Sequence, residues 1–219
     1  MKKVLFAVAV ASASLAVQAA TIDDLHNTGA GLTKGQVDTH YAVEQGSAEP
    51  ANAYATDTTS PYPANNSWLI NNIVSAWDSP AADPGKNFAV DLFHWDTTFD
   101  LSGFNPATAS FSGRFTADDS AVAYLNGYMI GTSNSYSAWS GFNSQPGFFK
   151  SGVNKLDFHV MNSGAGPTGL RVEFTNTYKQ LMPDGGPSGV PAIPEPETYA
   201  LMLAGLASLG FIARRRIAA

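Results

Sequence analysis

The chain has 219 residues, with 12 lysines and arginines against 18 aspartates and glutamates, a net charge of −6 and no cysteine. That length suits one ordinary domain plus targeting segments, and without cysteine the domain must hold by its own core. Between residues 20 and 193 there are 16 acidic against 7 basic residues, about −9, which excludes the clustered positive charge that nucleic-acid binding needs.

Residues 1–19 read as a secretory signal peptide in all three of its parts. Lys2 and Lys3 form a positive start. Val4 to Val17 is apolar or small, and Val17 and Ala19 occupy the −3 and −1 positions of a cleavage site after Ala19. Signal peptidase and the export machinery are the partners this predicts.

Residues 20–180 form the body, long enough to bury a core. It shows no sustained 3.6-residue apolar period, but period-2 alternation recurs. Trp95, Thr97, Phe99 and Leu101 alternate with Asp96, Thr98 and Asp100. Ala109, Phe111, Gly113 and Phe115 alternate with Ser110, Ser112 and Arg114. Leu156, Phe158 and Val160 alternate with Asp157 and His159, and Leu170, Val172 and Phe174 with Arg171 and Glu173. Each run has the form of a strand with one buried face. Val122–Leu125 and Tyr128–Ile130 flank Asn126-Gly127, the dipeptide that best accepts the two positive φ angles of a type I′ hairpin turn. One or two early strands are expected in 21–41, a long loop over 44–66, and a polar connection over 133–147. Many short strands with Gly, Asn or Pro turns predict an all-β sandwich or jelly roll.

No serine or cysteine sits in a nucleophile elbow, and no glycine loop is built to cradle phosphate. The four histidines, His26, His40, His94 and His159, make no H-x-x-x-H pair, so a zinc site would need ligands from separate strands. No catalytic residue and no cofactor is expected. Asp118 and Asp119 read either as turn acids bonding nearby backbone or as part of a Ca²⁺ ligand set, an ion that wants six to eight oxygens. Trp68, Trp77 and Trp95 stand among apolar neighbours and read as core. Tyr136 and Trp139 stand in a Ser- and Gly-rich connection and are the candidate carbohydrate platform, the competing reading being that they cover one end of the sandwich.

The stretch FTADDSAVAYLNGYMIGT at 115–132, followed by Gly152 to Val160, resembles the sugar-binding jelly roll of the galactose-binding-like superfamily. The resemblance implies a fold and supplies no sugar-site residues.

Residues 181–193 are a Pro- and Gly-rich tether. Tyr199 to Ala213 is a 15-residue uncharged apolar run, read as a short transmembrane helix of about 22 Å at 1.5 Å per residue. Arg214, Arg215 and Arg216 anchor its cytoplasmic end. Pro194-Glu195-Pro196, the apolar run and the arginine cluster together, over 194–219, closely resemble the sorting domain of PEP-CTERM proteins. Further pieces of the body, among them Leu25-His26-Asn27-Thr28-Gly29 and Pro167-Thr168-Gly169-Leu170, resemble the ectodomains that such tails commonly carry. The resemblance implies that the chain is a substrate of exosortase, a membrane enzyme of Gram-negative bacteria, recognised at Pro194 to Pro196. It also implies an association with exopolysaccharide producers. The expected course is export, transient inner-membrane anchoring with the body in the periplasm, then the cell surface or matrix. The function expected is non-catalytic, with carbohydrate or exopolysaccharide as ligand. The alternatives are a purely structural surface or biofilm-matrix protein, and a glycoside hydrolase-like enzyme.

Overall fold

The structure is a computed structural model and describes residues 19–57, 67–83 and 85–180. The signal peptide up to residue 18, the tether, the apolar run 199–213, Pro194 to Pro196 and Arg214 to Arg216 lie outside the described residues. Among the described residues no helix is long and apolar enough to cross a membrane.

Eleven strands carry the described fold: β1 (Ala19–Ala20), β2 (Val37–Gln45), β3 (Ala51–Thr56), β4 (Trp77–Ser79), β5 (Asp91–Asp100), β6 (Ser110–Asp118), β7 (Ser120–Leu125), β8 (Tyr128–Ser133), β9 (Ser140–Asn143), β10 (Val153–Asn162) and β11 (Gly169–Gln180). They are joined in the order β8-β7-β10-β5-β2-β3-β4-β11-β6-β9, with β1 on the end of β11. Neighbouring strands pair antiparallel. The path doubles over so that its two halves face each other. Phe115 of β6 and Phe158 of β10 meet with ring centroids 5.5 Å apart, Phe111 meets Phe99 at 6.0 Å, and Phe142 meets Phe158 at 6.0 Å. The two ends of the path also converge. A Cβ on Gly131 of β8 would lie 2.8 Å from the Cβ of Phe142 of β9. The result is an all-β, nearly closed barrel that resembles a jelly roll.

The alternation read from the sequence fills this core. Phe93, Trp95 and Phe99 of β5, Leu156, Phe158 and Val160 of β10, and Phe111 and Phe115 of β6 are all buried. Each such aromatic or aliphatic side chain contributes roughly 1.5–3 kcal/mol by leaving water. Trp68 and Trp77 are buried too, their rings 4.2 Å apart. Asn126 (φ 50°) and Gly127 (φ 86°) make the tight turn between β7 and β8, where Leu125 pairs with Tyr128.

Three expectations are corrected. The loop expected over 44–66 contains β3, whose inward residues are Ala53 and Ala55; alanine is too weakly apolar to mark a strand by alternation. The connection expected over 133–147 contains β9, which puts Phe142 into the core. β11 is buried on both faces from Gly169 to Glu173, because residues 67–76 pack over its outer side and cover Arg171 and Glu173.

Candidate functional site

β2 pairs with β5 only between Ala42–Gln45 and Phe93–Asp96, whereas β5 runs on to Asp100. Beyond Ala42 the two strands part, and β2 carries an irregularity against β3 between Asp38 and Ala42. The gap is a shallow cleft of about 370 Å³, lined by Asp24, His26, Thr39, His40, Thr98 and Asp100, with Phe99 and Val153. Asp24 bridges it at one point by accepting from the Asp100 backbone N–H at 3.3 Å.

The imidazoles of His26 and His40 stack here, 3.7 Å between centroids and 28° between planes. The His40 ring is held from behind by a carboxylate, and His26 through its backbone. Asp38 is buried and accepts from the backbone N–H groups of Gly29 (2.7 Å) and His40 (2.9 Å), and its Oδ1 lies 3.0 Å from His40 Nδ1. The Tyr41 hydroxyl donates to the His26 carbonyl at 2.7 Å. Burial, then the neighbouring His40, keep His26 below the usual imidazole range. Deeper in the interior, burial and then the negative field of Asp38 push the Asp78 carboxyl well above the usual carboxylate range. A stacked imidazole pair offers a flat face, and the threonines and aspartates around it offer hydroxyl-compatible donors and acceptors. This is the mix of a few polar groups around an apolar surface that suits a small polar ligand.

The acids singled out in the sequence sit elsewhere. Asp118 closes β6; its Oδ2 accepts from the Trp68 indole N–H at 2.9 Å, and its carbonyl accepts from the Thr168 hydroxyl at 2.6 Å. Asp119 accepts from the Ser163 N–H at 2.7 Å. Burial, followed by its hydrogen bond with Asp119, raises Asp118 to about 7. Both carboxyls thus have structural donors to serve.

Tyr136 is 38% exposed, and its carbonyl accepts from the Leu69 N–H at 2.8 Å. Trp139 is half-buried, with the Arg114 and Arg171 guanidinium carbons 4.5 and 4.8 Å from its ring centre. Sequence reasoning missed the pairing of the histidines. His26 meets His40, and His94 meets His159 across the β5–β10 ladder. The only available signal was that His94 and His159 each stand on the polar phase of a strand.

Residues 192–216 match the PEP-CTERM protein-sorting motif. That segment contains Pro194-Glu195-Pro196 and Arg214 to Arg216, and the motif implies recognition by an exosortase-type system and export to the cell surface. No curated protein matches the chain. A solved family 35 carbohydrate binding module from an environmental isolate is similar at 14% identity, over 64% of this chain and 90% of its own, with a TM-score of 0.29. Strand register, and not this likeness, defines the fold described above.

Proposed function

We propose that the protein is an exported, surface- or matrix-destined, non-catalytic module that binds carbohydrate, with exopolysaccharide as its natural ligand, and that exosortase acts on its tail. The cleft between β2 and β5 carries the reading. It is open and shallow, presents the His26–His40 stack beside Thr39, Thr98, Asp24 and Asp100, and so pairs a flat ring surface with hydroxyl partners. A galactose-binding-like jelly roll is the fold proposed for the body. The anchoring stage is proposed to hold the body in the periplasm while the run 199–213 spans the inner membrane. A structural Ca²⁺ at Asp118 and Asp119 is a lesser proposal, since those two groups supply fewer oxygens than the ion takes.

A second reading places the glycan on Tyr136 and Trp139. It is favoured by the half-exposed Trp139 ring, which Arg114 and Arg171 hold in place. A rigid ring costs little entropy when it stacks on a sugar.

The test is a glycan array that includes exopolysaccharide from the producing strain, run with the full chain. His40→Ala and Thr98→Ala should weaken binding at least tenfold, about 1.4 kcal/mol. Loss confined to Tyr136→Ala and Trp139→Ala would move the site to the loop. No binding to any glycan by the folded chain would leave the purely structural reading.

A further inference from the structure

On β5 and β10, His94 stands directly opposite His159 and Asp96 opposite Asp157. Phe93, Trp95, Phe158 and Val160 take the inward positions, so these four polar residues share the outer face of the sheet. There the Asp157 carboxylate lies between the two imidazoles. Its Oδ2 is 2.8 Å from His159 Nε2, and its Oδ1 is 3.6 Å from His94 Nδ1. The two rings are 4.1 Å apart between centroids. One donor atom from each of His94, Asp157 and His159 lies within 4.8 Å of the others.

A tetrahedral zinc ion with bonds of about 2.0–2.1 Å spaces its ligands about 3.4 Å apart. The observed separations bracket that value, so small rotations of the two rings would close the set on one ion. Asp157 Oδ1 is buried and no N–H or hydroxyl group donates to it; the carboxyl that faces Asp157 is that of Asp96. The side chains of His94, Asp157 and His159 are 23%, 17% and 31% exposed, shielded but within reach of solvent.

The surrounding charge favours a cation. Glu44 lies opposite His94 on β2, and Asp96 adds a second carboxylate beside Asp157. Against these three acids stands one ammonium, Lys155. Its Nζ lies 2.8 Å from Asp96 and 3.7 Å from Asp157, so it is held mainly by Asp96. Tyr124 packs its ring 4.6 Å from that of His159 and limits its orientations.

We propose that His94, Asp157 and His159 bind a first-row divalent transition ion of the zinc type, fastening β5 to β10 on the outer face of the barrel and leaving one coordination position to solvent. Two imidazoles and a single carboxylate suit zinc, copper or nickel, whereas calcium and magnesium require oxygen donors throughout.

The test is titration of the full chain in detergent with ZnCl₂ alone, read by competition with a chromogenic chelator, and with CoCl₂ read by visible absorption. The expected result is one zinc per chain. Asp157→Asn and His159→Gln should each weaken binding at least tenfold, while His40→Gln, on the other histidine pair, should keep the wild-type affinity. Bound cobalt should show the intense bands of a low-coordinate site. Folding of each variant is checked by near-ultraviolet circular dichroism. Should Asp157→Asn fail to fold, His159→Gln and the wild-type cobalt spectrum decide. Absence of stoichiometric zinc binding by the folded chain would overturn the site. So would undiminished binding in a His94→Asn/His159→Gln double variant, equal loss in His40→Gln, or an octahedral cobalt spectrum.

Discussion

Arg171 and Glu173 stand two residues apart on the outer side of β11, with Arg171 Nη2 3.2 Å from Glu173 Oε1 and both side chains sealed from solvent. Arg171 also donates to Ser75 Oγ at 2.7 Å and to the carbonyls of Leu69 and Ile70. Glu173 accepts from Ser75 Oγ (2.7 Å), Asn72 Nδ2 (2.9 Å) and Arg114. Burial alone would raise the Glu173 carboxyl, but the donors Ser75, Asn72 and Arg114 outweigh it and hold it below the usual range. The network fastens residues 67–76 to the barrel.

Arg171→Ala removes one partner and leaves a buried carboxylate undercompensated. Such changes cost about 3–5 kcal/mol, and the remaining donors on Glu173 set the expected loss near the lower end. Denaturant unfolding measures it. The Arg171→Met/Glu173→Leu double variant should recover much of the loss, and a double variant no better than the single would refute the charge account.

Two glycines should fail for different reasons. Gly127 has open space around its missing Cβ but a φ of +86°. Gly127→Val therefore pays only backbone strain, more than about 1 kcal/mol. Gly131 needs no special φ, yet its Cβ would meet the Phe142 Cβ at 2.8 Å and the Gly141 carbonyl at 2.9 Å. Gly131→Ala should therefore push β8 away from β9. Thermal unfolding of both variants, with near-ultraviolet circular dichroism to follow the Phe142 environment, separates the two. Only Gly131→Ala should alter the aromatic signal.

Asp118 binds its proton more tightly in the folded chain, to about 7, than in the unfolded one, near 3.9. The folded state therefore holds the extra proton between those values, and stability falls as pH rises from about 4 through about 7. Asp118→Asn keeps an acceptor for the Trp68 indole and should flatten that slope. Urea unfolding at a series of pH values checks it, and an unchanged slope would assign the dependence to other groups.

The mature surface form should lack the peptide from Tyr199 to Ala213, as read by mass spectrometry of protein recovered from the cell surface. An intact C-terminus there would rule out processing near Pro194 to Pro196. Deleting Arg214 to Arg216 should increase release into the medium on cell fractionation.

What the sequence by itself determined is what depends on neighbouring residues. The terminal signals are contiguous strings, so they are legible without a fold, and the tail is matched as a sorting motif over residues 192–216. The strands β5 and β10, and β6 up to Phe115, show in period-2 alternation because there each faces the core on one side only, and Asn126-Gly127 announces its hairpin through its own φ preferences. Tertiary structure decided whatever needs two distant segments. β3 and β9 gain strand identity from partners rather than from their own alanines and serines. Arg171 and Glu173 look solvent-facing by alternation and are buried only because residues 67–76 fold over them. The cleft exists because β2 leaves β5 beyond Ala42, and His94 meets His159 because the β5–β10 register sets them opposite one another. Register is a property of paired strands, fixed by which faces must be buried together, and a single strand's sequence does not carry it.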